Sequence, residues 1–170
     1  MRILSIADLR ARTIPTPSGR AGVARTLAAM RACVNAGRVN PAIRAAAINI
    51  VQFEGNKDYT AEAQALFEYV RDHIRYVRDV LNVETVSTAV RTLQTEAGDC
   101  DDQCVLLASL LESIGHPTRF VAAGYSAPGE FTHVYLHTWA GGRWIDCDPT
   151  EPHYFGWAPP NPRALLIERV

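Results

Sequence analysis

One cysteine of this sequence lies at the predicted start of a helix, where a thiol can become a nucleophile. Cys100 precedes an almost continuously apolar run over residues 105–114, which predicts a buried helix. Backbone N–H groups at a helix N-terminus favour an anion, so we expect them to lower the pKa of the Cys100 thiol. The carboxylates of Asp99, Asp101 and Asp102 oppose this effect through like charge. A reactive thiolate at Cys100 therefore requires a nearby cation, such as an imidazolium.

A predicted hairpin further along the chain brings histidine and aspartate side chains to one face. The glycine pair at 141–142 predicts a two-residue turn, and this turn places His137 directly opposite Asp146. Alternation along the two strands puts His133 and Asp148 on the same face, diagonal to one another. Both His133–Asp148 and His137–Asp146 fit this register as histidine–carboxylate pairs. The spacing alone does not choose between them.

Such a pair beside a thiol has a definite chemical use. The carboxylate holds the tautomer and orientation of the imidazole, and the imidazole takes the thiol proton. The thiolate then attacks a carbonyl carbon and forms a thioester. Water resolves that thioester in hydrolysis, and an amine resolves it in acyl transfer.

A zinc site is the main alternative use of the same residues. Cys100 and Cys104 are four residues apart on one helix face, and His133 and His137 are four apart along one strand, which could make a Cys2His2 set. This spacing matches no familiar finger or ribbon. Alternate residues of a strand also lie about 7 Å apart, which is wide for two ligands of one ion. We therefore prefer the nucleophilic use of Cys100.

Composition and charge restrict the remaining function classes. The chain has 170 residues and a net charge of −1, from 17 Lys and Arg against 18 Asp and Glu. This length fits one domain. The near-neutral charge argues against nonspecific electrostatic binding to nucleic acid or to an anionic membrane. No apolar run approaches the roughly 20 residues of a membrane span, and the charged N-terminus does not resemble a secretory signal. We expect a cytoplasmic protein.

The four cysteines are too few for a disulfide framework in a chain of this length. Cys33 lies in an alanine-rich helical segment, and Cys104 lies one turn after Cys100 in the apolar helix. Cys147 alternates to the strand face opposite His133. We expect these three cysteines to pack in the core, since buried thiols are common there.

The elements that must position these residues predict an α+β domain. Residues 1–19 contain two prolines and read as an irregular arm, so the domain is predicted to cover residues 20–170. Helical periodicity is followed by a meander of strands, which is the α+β pattern. The predicted elements are helices from Arg20 to Gly37, from Ala42 to Phe53, after a Thr60 cap and from Cys100 to Gly115, and strands at 118–124, 132–140 and 143–148.

Three segments, GDCDDQCVLLASLLESIGHPTRFVAAG, FTHVYLHTW and GGRWIDCDPT, together resemble the transglutaminase-like superfamily of papain-type cysteine enzymes. The upstream segment FEYVRDHIRYVRD is similar to the helix that precedes the nucleophile in that family. The resemblance covers roughly residues 62–150. It implies Cys100 as nucleophile, His133 as general base and acid, and Asp148 as the orienting carboxylate. It therefore favours His133–Asp148 over His137–Asp146.

The resemblance also implies a fold and an activity. The expected fold has a helical N-terminal half and a central nucleophile helix packed on an antiparallel sheet. The candidate oxyanion donors are the Cys100 backbone N–H, the Tyr76 side chain and Gln94. The expected activity is hydrolysis of an amide bond in a protein or peptide, as in a cysteine protease or amidohydrolase.

Two other functions stay open with the same fold. One is protein crosslinking by a transglutaminase, and the other is a non-catalytic structural or binding role. The compact form resembles small bacterial or phage members of the family, and a phage protein could be associated with the virion. The three aspartates around Cys100 lack the spacing of a calcium-binding EF-hand loop, so we expect no metal and no other cofactor.

Overall fold

The computed structural model describes residues 11–14, 19–55, 57–79, 84–127 and 129–170. Helices and strands alternate irregularly along this part of the chain. In order, they are β1 (Ala11–Ile14), α1 (Arg20–Gly37), α2 (Pro41–Val51), α3 (Tyr59–His73), β2 (Arg75–Tyr76), β3 (Glu84–Ser87), α4 (Ala89–Thr95), β4 (Ala97–Gly98), α5 (Cys100–Ser113), β5 (Thr118–Gly124), β6 (His133–Ala140), β7 (Arg143–Cys147) and β8 (Ala164–Arg169).

Helix α5 lies at the centre of the fold. Every residue from Asp101 to Leu111 is buried, because α1 to α4 pack around the helix and β5 and β6 contact its remaining side. Asp99 caps the helix: its Oδ1 accepts hydrogen bonds from the N–H groups of Asp101 and Asp102 at 3.1 and 3.2 Å. This cap fixes the point at which α5 begins, and so it fixes the position of Cys100.

Helix α1 approaches α5 closely through a glycine. A Cβ atom at Gly37 would lie 2.8 Å from the Cβ of Ser109 on α5, so only glycine allows this distance between the two helices. Leu27, Met30 and Val34 of α1 are fully buried in the main hydrophobic cluster, which also includes the apolar residues of α5. The contact places the first turns of α1 beside the start of α5.

A four-stranded antiparallel sheet carries the histidines. Its strand order is β7-β6-β5-β8. In the β6–β7 hairpin Trp139 is opposite Trp144 and His137 is opposite Asp146, which is the register predicted from the two-glycine turn. Gly141 and Gly142 have φ values of 58° and 79°, as a two-residue hairpin turn requires. The tryptophan rings make an edge-to-face contact with centroids 5.5 Å apart.

The α+β fold class, with a central helix on an antiparallel sheet, is confirmed. Several details differ from the predictions. Residues 11–14 of the predicted irregular arm form a strand that pairs with β3, while 1–10 and 15–18 lie outside the described residues. Asp58 rather than Thr60 caps α3, because its side chain accepts the Ala61 N–H at 3.0 Å. Strand β8, which the sequence did not predict, pairs along the whole of β5.

No helix in the described ranges is both long enough and apolar enough to cross a membrane.

Candidate active site

Cys100 is the first residue of α5 and lies at the surface end of a buried helix. It is half-buried, whereas Cys33, Cys104 and Cys147 are buried. Only glycine fits two residues before Cys100, because a Cβ at Gly98 would lie 2.5 Å from the Cβ of Asp102. In the Gly-Asp-Cys sequence, Gly98 allows the close approach of Asp102, Asp99 caps α5, and Cys100 places its thiol at the N-terminus of the helix.

His133 and Asp148 form a hydrogen-bonded pair. The Nε2 of His133 lies 2.7 Å from Oδ2 of Asp148, whose side chain is fully buried while that of His133 is 18% exposed. The other carboxylate oxygen, Oδ1, accepts the backbone N–H and the hydroxyl of Thr150 at 3.1 and 2.7 Å. Thr150 therefore fixes the carboxylate and the carboxylate fixes the imidazole. The Nδ1 of His133 is then the ring nitrogen that can accept a proton.

Cys100 and His133 line the same cavity, which has a volume of about 240 Å³. The carboxylates of Asp99 and Asp101 lie at the Cys100 end, and Oδ1 of Asp101 is 3.7 Å from the Cys100 sulfur. The rest of the wall comes from α1, from Ala122 of β5 and from residues at the start of β6, and it combines apolar side chains with Thr26 and Thr132. A carbonyl group that enters this cavity meets a thiol and an oriented imidazole together.

A second histidine–aspartate pair lies on the same hairpin. His137 Nε2 is 2.7 Å from Oδ1 of Asp146, so both pairs that the register allowed are present. Nδ1 of His137 accepts a hydrogen bond from Nε of Arg119 at 2.9 Å. The Arg119 guanidinium also stacks 4.2 Å from the centre of the Trp144 ring. Both ring nitrogens of His137 are therefore engaged, which leaves none for a thiol.

Two tyrosines lie near the His133–Asp148 pair, and neither was among the predicted site residues. Tyr135 lies between the two imidazoles, with ring centroids 6.2 Å from His133 and 5.8 Å from His137. Burial, followed by the nearby Asp146 carboxylate, raises the pKa of Tyr135 to about 12. Burial and the Asp148 carboxylate also raise the pKa of Tyr125. The buried Tyr125 hydroxyl has no hydrogen-bond partner among the described residues. Both phenols stay neutral next to the pair.

The predicted oxyanion donors lie in different surroundings. Tyr76 is on β2, whose parallel partner β4 leads directly into Cys100. Burial raises the pKa of Tyr76, and the charge of a Cys100 thiolate raises it further. Gln94 is exposed on α4 and is not among the described residues that line the cavity. Tyr76 is not one of those lining residues either, but it is paired with Gly98, two residues before Cys100, so it lies nearer in the fold to the nucleophile than Gln94 does.

The other thiols do not share the site. Burial raises the pKa of Cys104 and Cys147 well above that of an ordinary thiol, so both stay protonated and inert. No group of three or more potential ligands that could hold a metal occurs within the ranges that the structure describes. The Cys104 thiol instead donates to the Val134 carbonyl at 3.5 Å. The Cys2His2 arrangement is therefore not assembled.

Comparison with known proteins agrees with this architecture. Residues 45–149 match the family model of the transglutaminase-like superfamily. The "Putative Cysteine Protease from Cytophaga hutchinsonii" has a TM-score of 0.52 at 16% identity, over 75% of this chain and 50% of that one. The "putative protease" from Parabacteroides distasonis has a TM-score of 0.58 at 15% identity, over 77% of this chain and 26% of that one.

These two likenesses show a shared fold. The chain spans only half of the first protein and about a quarter of the second. No curated protein sequence matches the chain.

Proposed function

This chain belongs to the transglutaminase-like superfamily, and from that premise we propose that it hydrolyses an amide bond through a thioester on Cys100. His133 acts as general base and acid, and Asp148 orients it. One observation carries the proposal. The buried Asp148 holds His133 by Nε2, so that Nδ1 is left for a proton, in the same cavity that Cys100 lines.

The reaction proceeds in two halves. His133 takes the thiol proton, and the Cys100 thiolate attacks the carbonyl carbon of the substrate. The C–N bond breaks as the imidazolium gives its proton to the departing amine, which leaves a thioester. His133 then takes a proton from water, the hydroxide attacks the thioester, and the C–S bond breaks to release an acid and the thiolate. The Cys100 backbone N–H and the Tyr76 hydroxyl are the proposed donors to the negative oxygen.

Hydrolysis and amine transfer differ only in what attacks the thioester. The two similar folds with TM-scores above 0.5 both carry the name of a protease. This is our reason for preferring water as the acceptor and a protein or peptide as the substrate. Transfer to an amine uses the same first half-reaction, so it is the competing outcome of the experiment below.

The test is acylation by p-nitrophenyl acetate. The proposal predicts a burst of one p-nitrophenol per chain and an acetyl group on Cys100 by peptide mass spectrometry. The Cys100→Ala variant should lose the burst completely. Cys104→Ala is the matched control, because it removes a thiol one turn further along the same helix and should keep the burst. Thermal unfolding of each variant shows that the fold is retained.

A full burst in Cys100→Ala, or acetylation of another cysteine, contradicts the proposal. Adding the diamine cadaverine separates the two acceptors. Hydrolysis predicts free acetate as the main product, whereas a dominant acetylated diamine would identify an acyltransferase.

A further inference from the structure

One wall of the cavity beside Cys100 is formed by residues that lie outside the segment matching the family model. Val23, Leu27 and Met30 of α1 line it, although the match to the family begins only at residue 45. Phe131, just before β6, and Val134 continue the apolar surface. Helix α1 packs against α5, and this packing positions the residues of α1 that line the cavity. Residues outside the matched region therefore form part of the wall next to the nucleophile, with Val23 as the partly exposed apolar side chain of α1.

We propose that this wall selects a substrate with an aliphatic side chain on the residue that carries the scissile carbonyl. The inference rests on the proposed function, because it concerns the acyl group that Cys100 would receive. The side chain beside the attacked carbon is the one that reaches a cavity containing the nucleophile itself. Val23 and Phe131, which are only partly buried, offer it apolar surface, whose burial favours binding.

The size of the cavity fits a single side chain. Its volume is about 240 Å³, well above the roughly 10–15 Å³ that a single water needs in a cavity. The space therefore accommodates several carbon atoms, as in leucine or methionine. It is smaller than the roughly 300–1,000 Å³ of pockets that enclose a whole drug-sized ligand.

The carboxylates of the cavity disfavour an acidic side chain, and its apolar side chains disfavour a charged one. Asp99 and Asp101 are both buried and line the Cys100 end, so an acidic side chain would be repelled. The Asp99 carboxylate already accepts two backbone N–H groups as the helix cap, which satisfies it without a cation from the substrate. A lysine side chain would lose hydration of its ammonium group as that group passes the apolar wall. An aliphatic side chain meets neither cost.

The test uses N-acetyl aminoacyl chloromethyl ketones, which alkylate an active-site thiol and present one side chain each. Reagents with leucine, alanine, glutamine, aspartate and lysine are compared, with iodoacetamide as the reagent that lacks a side chain. The rate at Cys100 is followed by intact and peptide mass spectrometry. We expect leucine to exceed alanine by about tenfold or more, because even one methylene in an apolar pocket is worth roughly 10- to 200-fold. Aspartate should be slowest.

Variants of the wall locate the effect. Val23→Phe fills the cavity and should remove the leucine preference while the iodoacetamide rate is retained. Ala28→Phe adds the same ring on the exposed side of α1 and should change neither rate. Phe131→Ala is a second wall variant in a loop, where folding is less at risk, and it should also weaken the leucine preference.

The outcomes separate this inference from the proposed function. Normal iodoacetamide labelling of Cys100 with equal rates for all side chains, or with glutamine or lysine fastest, overturns the inference alone. An unchanged leucine preference in both wall variants does the same. If iodoacetamide labels Cys100 no faster than Cys33, the proposed function fails and the inference fails with it.

Discussion

Two histidine–aspartate pairs lie on one hairpin, and they differ in what surrounds the second ring nitrogen. In both pairs Nε2 is 2.7 Å from a carboxylate oxygen. At His133 the carboxylate is buried, Nδ1 is the remaining nitrogen and Cys100 lines the same cavity. At His137 the carboxylate is partly exposed, and Arg119 donates to Nδ1.

The contrast shows that a hydrogen-bonded histidine and carboxylate do not by themselves make a general base. An imidazole can accept a proton from a thiol only through a nitrogen that no other donor occupies. Arg119 occupies that nitrogen in one pair, so His137–Asp146 joins β5, β6 and β7 as a structural contact. His133–Asp148 leaves a ring nitrogen open, as the proposed general base requires.

Replacing each histidine in turn gives the largest expected difference. His133→Gln should slow acylation by p-nitrophenyl acetate by about 10²- to 10⁴-fold, which is the usual contribution of a general base. His137→Gln should leave this rate unchanged and instead lower the free energy of unfolding by on the order of 1 kcal/mol, because two hydrogen bonds are disturbed. Stopped-flow bursts and urea unfolding measure the two effects. Equal loss of rate in both variants would remove the distinction between the pairs.

Replacing the carboxylate of each pair should show the same contrast, with a smaller effect on the acylation rate. Asp148→Asn replaces a charged acceptor, and a hydrogen bond to a charged group contributes about 1.5–3 kcal/mol. We therefore expect acylation to become roughly 10- to 100-fold slower. Asp146→Asn is the matched control on the neighbouring pair and should keep the wild-type rate. If Asp148→Asn acylates normally, the carboxylate does not orient His133.

A third carboxylate, outside both pairs, should affect stability alone. Burial raises the pKa of Asp102, and the hydrogen bond from the Ser87 N–H, at 2.7 Å, only partly offsets this. Its folded pKa thus exceeds the unfolded value of about 3.9, so the native state binds more protons between the two values. The free energy of unfolding should fall as pH rises through this window.

Asp102→Asn removes that dependence and should not change acylation. The free energy of unfolding of the variant, minus that of the wild type, should therefore rise with pH from about pH 4 and become flat above the folded pKa. Urea unfolding at several pH values measures this difference. A difference that does not vary with pH would show that burial does not act on Asp102 in this way.

The parts of the fold that sequence predicted are those with local signals. Helix α1 ends at Gly37 as predicted, and the glycine pair at 141–142 fixed the register of the β6–β7 hairpin. Strand β8 was missed because its partner β5 lies some 44 residues earlier, as in the pairing of Ala122 with Leu166. The two-residue strands β2 and β4 are too short to show any periodicity.

In the candidate site, too, the local spacing of residues was predictable from the sequence, whereas contacts between distant segments were not. Spacing brought His133 and His137 to one face with their carboxylates, but Arg119, which separates their roles, lies on another strand. The α1 wall of the cavity was not predictable, because the face that α1 turns toward Cys100 depends on long-range packing. Thr150 was visible within the Asp-Pro-Thr sequence, yet its contact with Asp148 appears only in the folded chain.

The most direct test of the partnership between Cys100 and His133 is the pH dependence of alkylation. Iodoacetamide labelling of each cysteine is followed by peptide mass spectrometry in the wild type and in His133→Gln. We expect Cys100 to react first and to stay reactive well below about pH 8.5, the ordinary cysteine pKa. In His133→Gln the labelling rate of Cys100 should fall as the pH is lowered below about 8.5, as it does for an ordinary thiol. Identical profiles in the two proteins, or faster labelling of Cys33, would contradict this expectation.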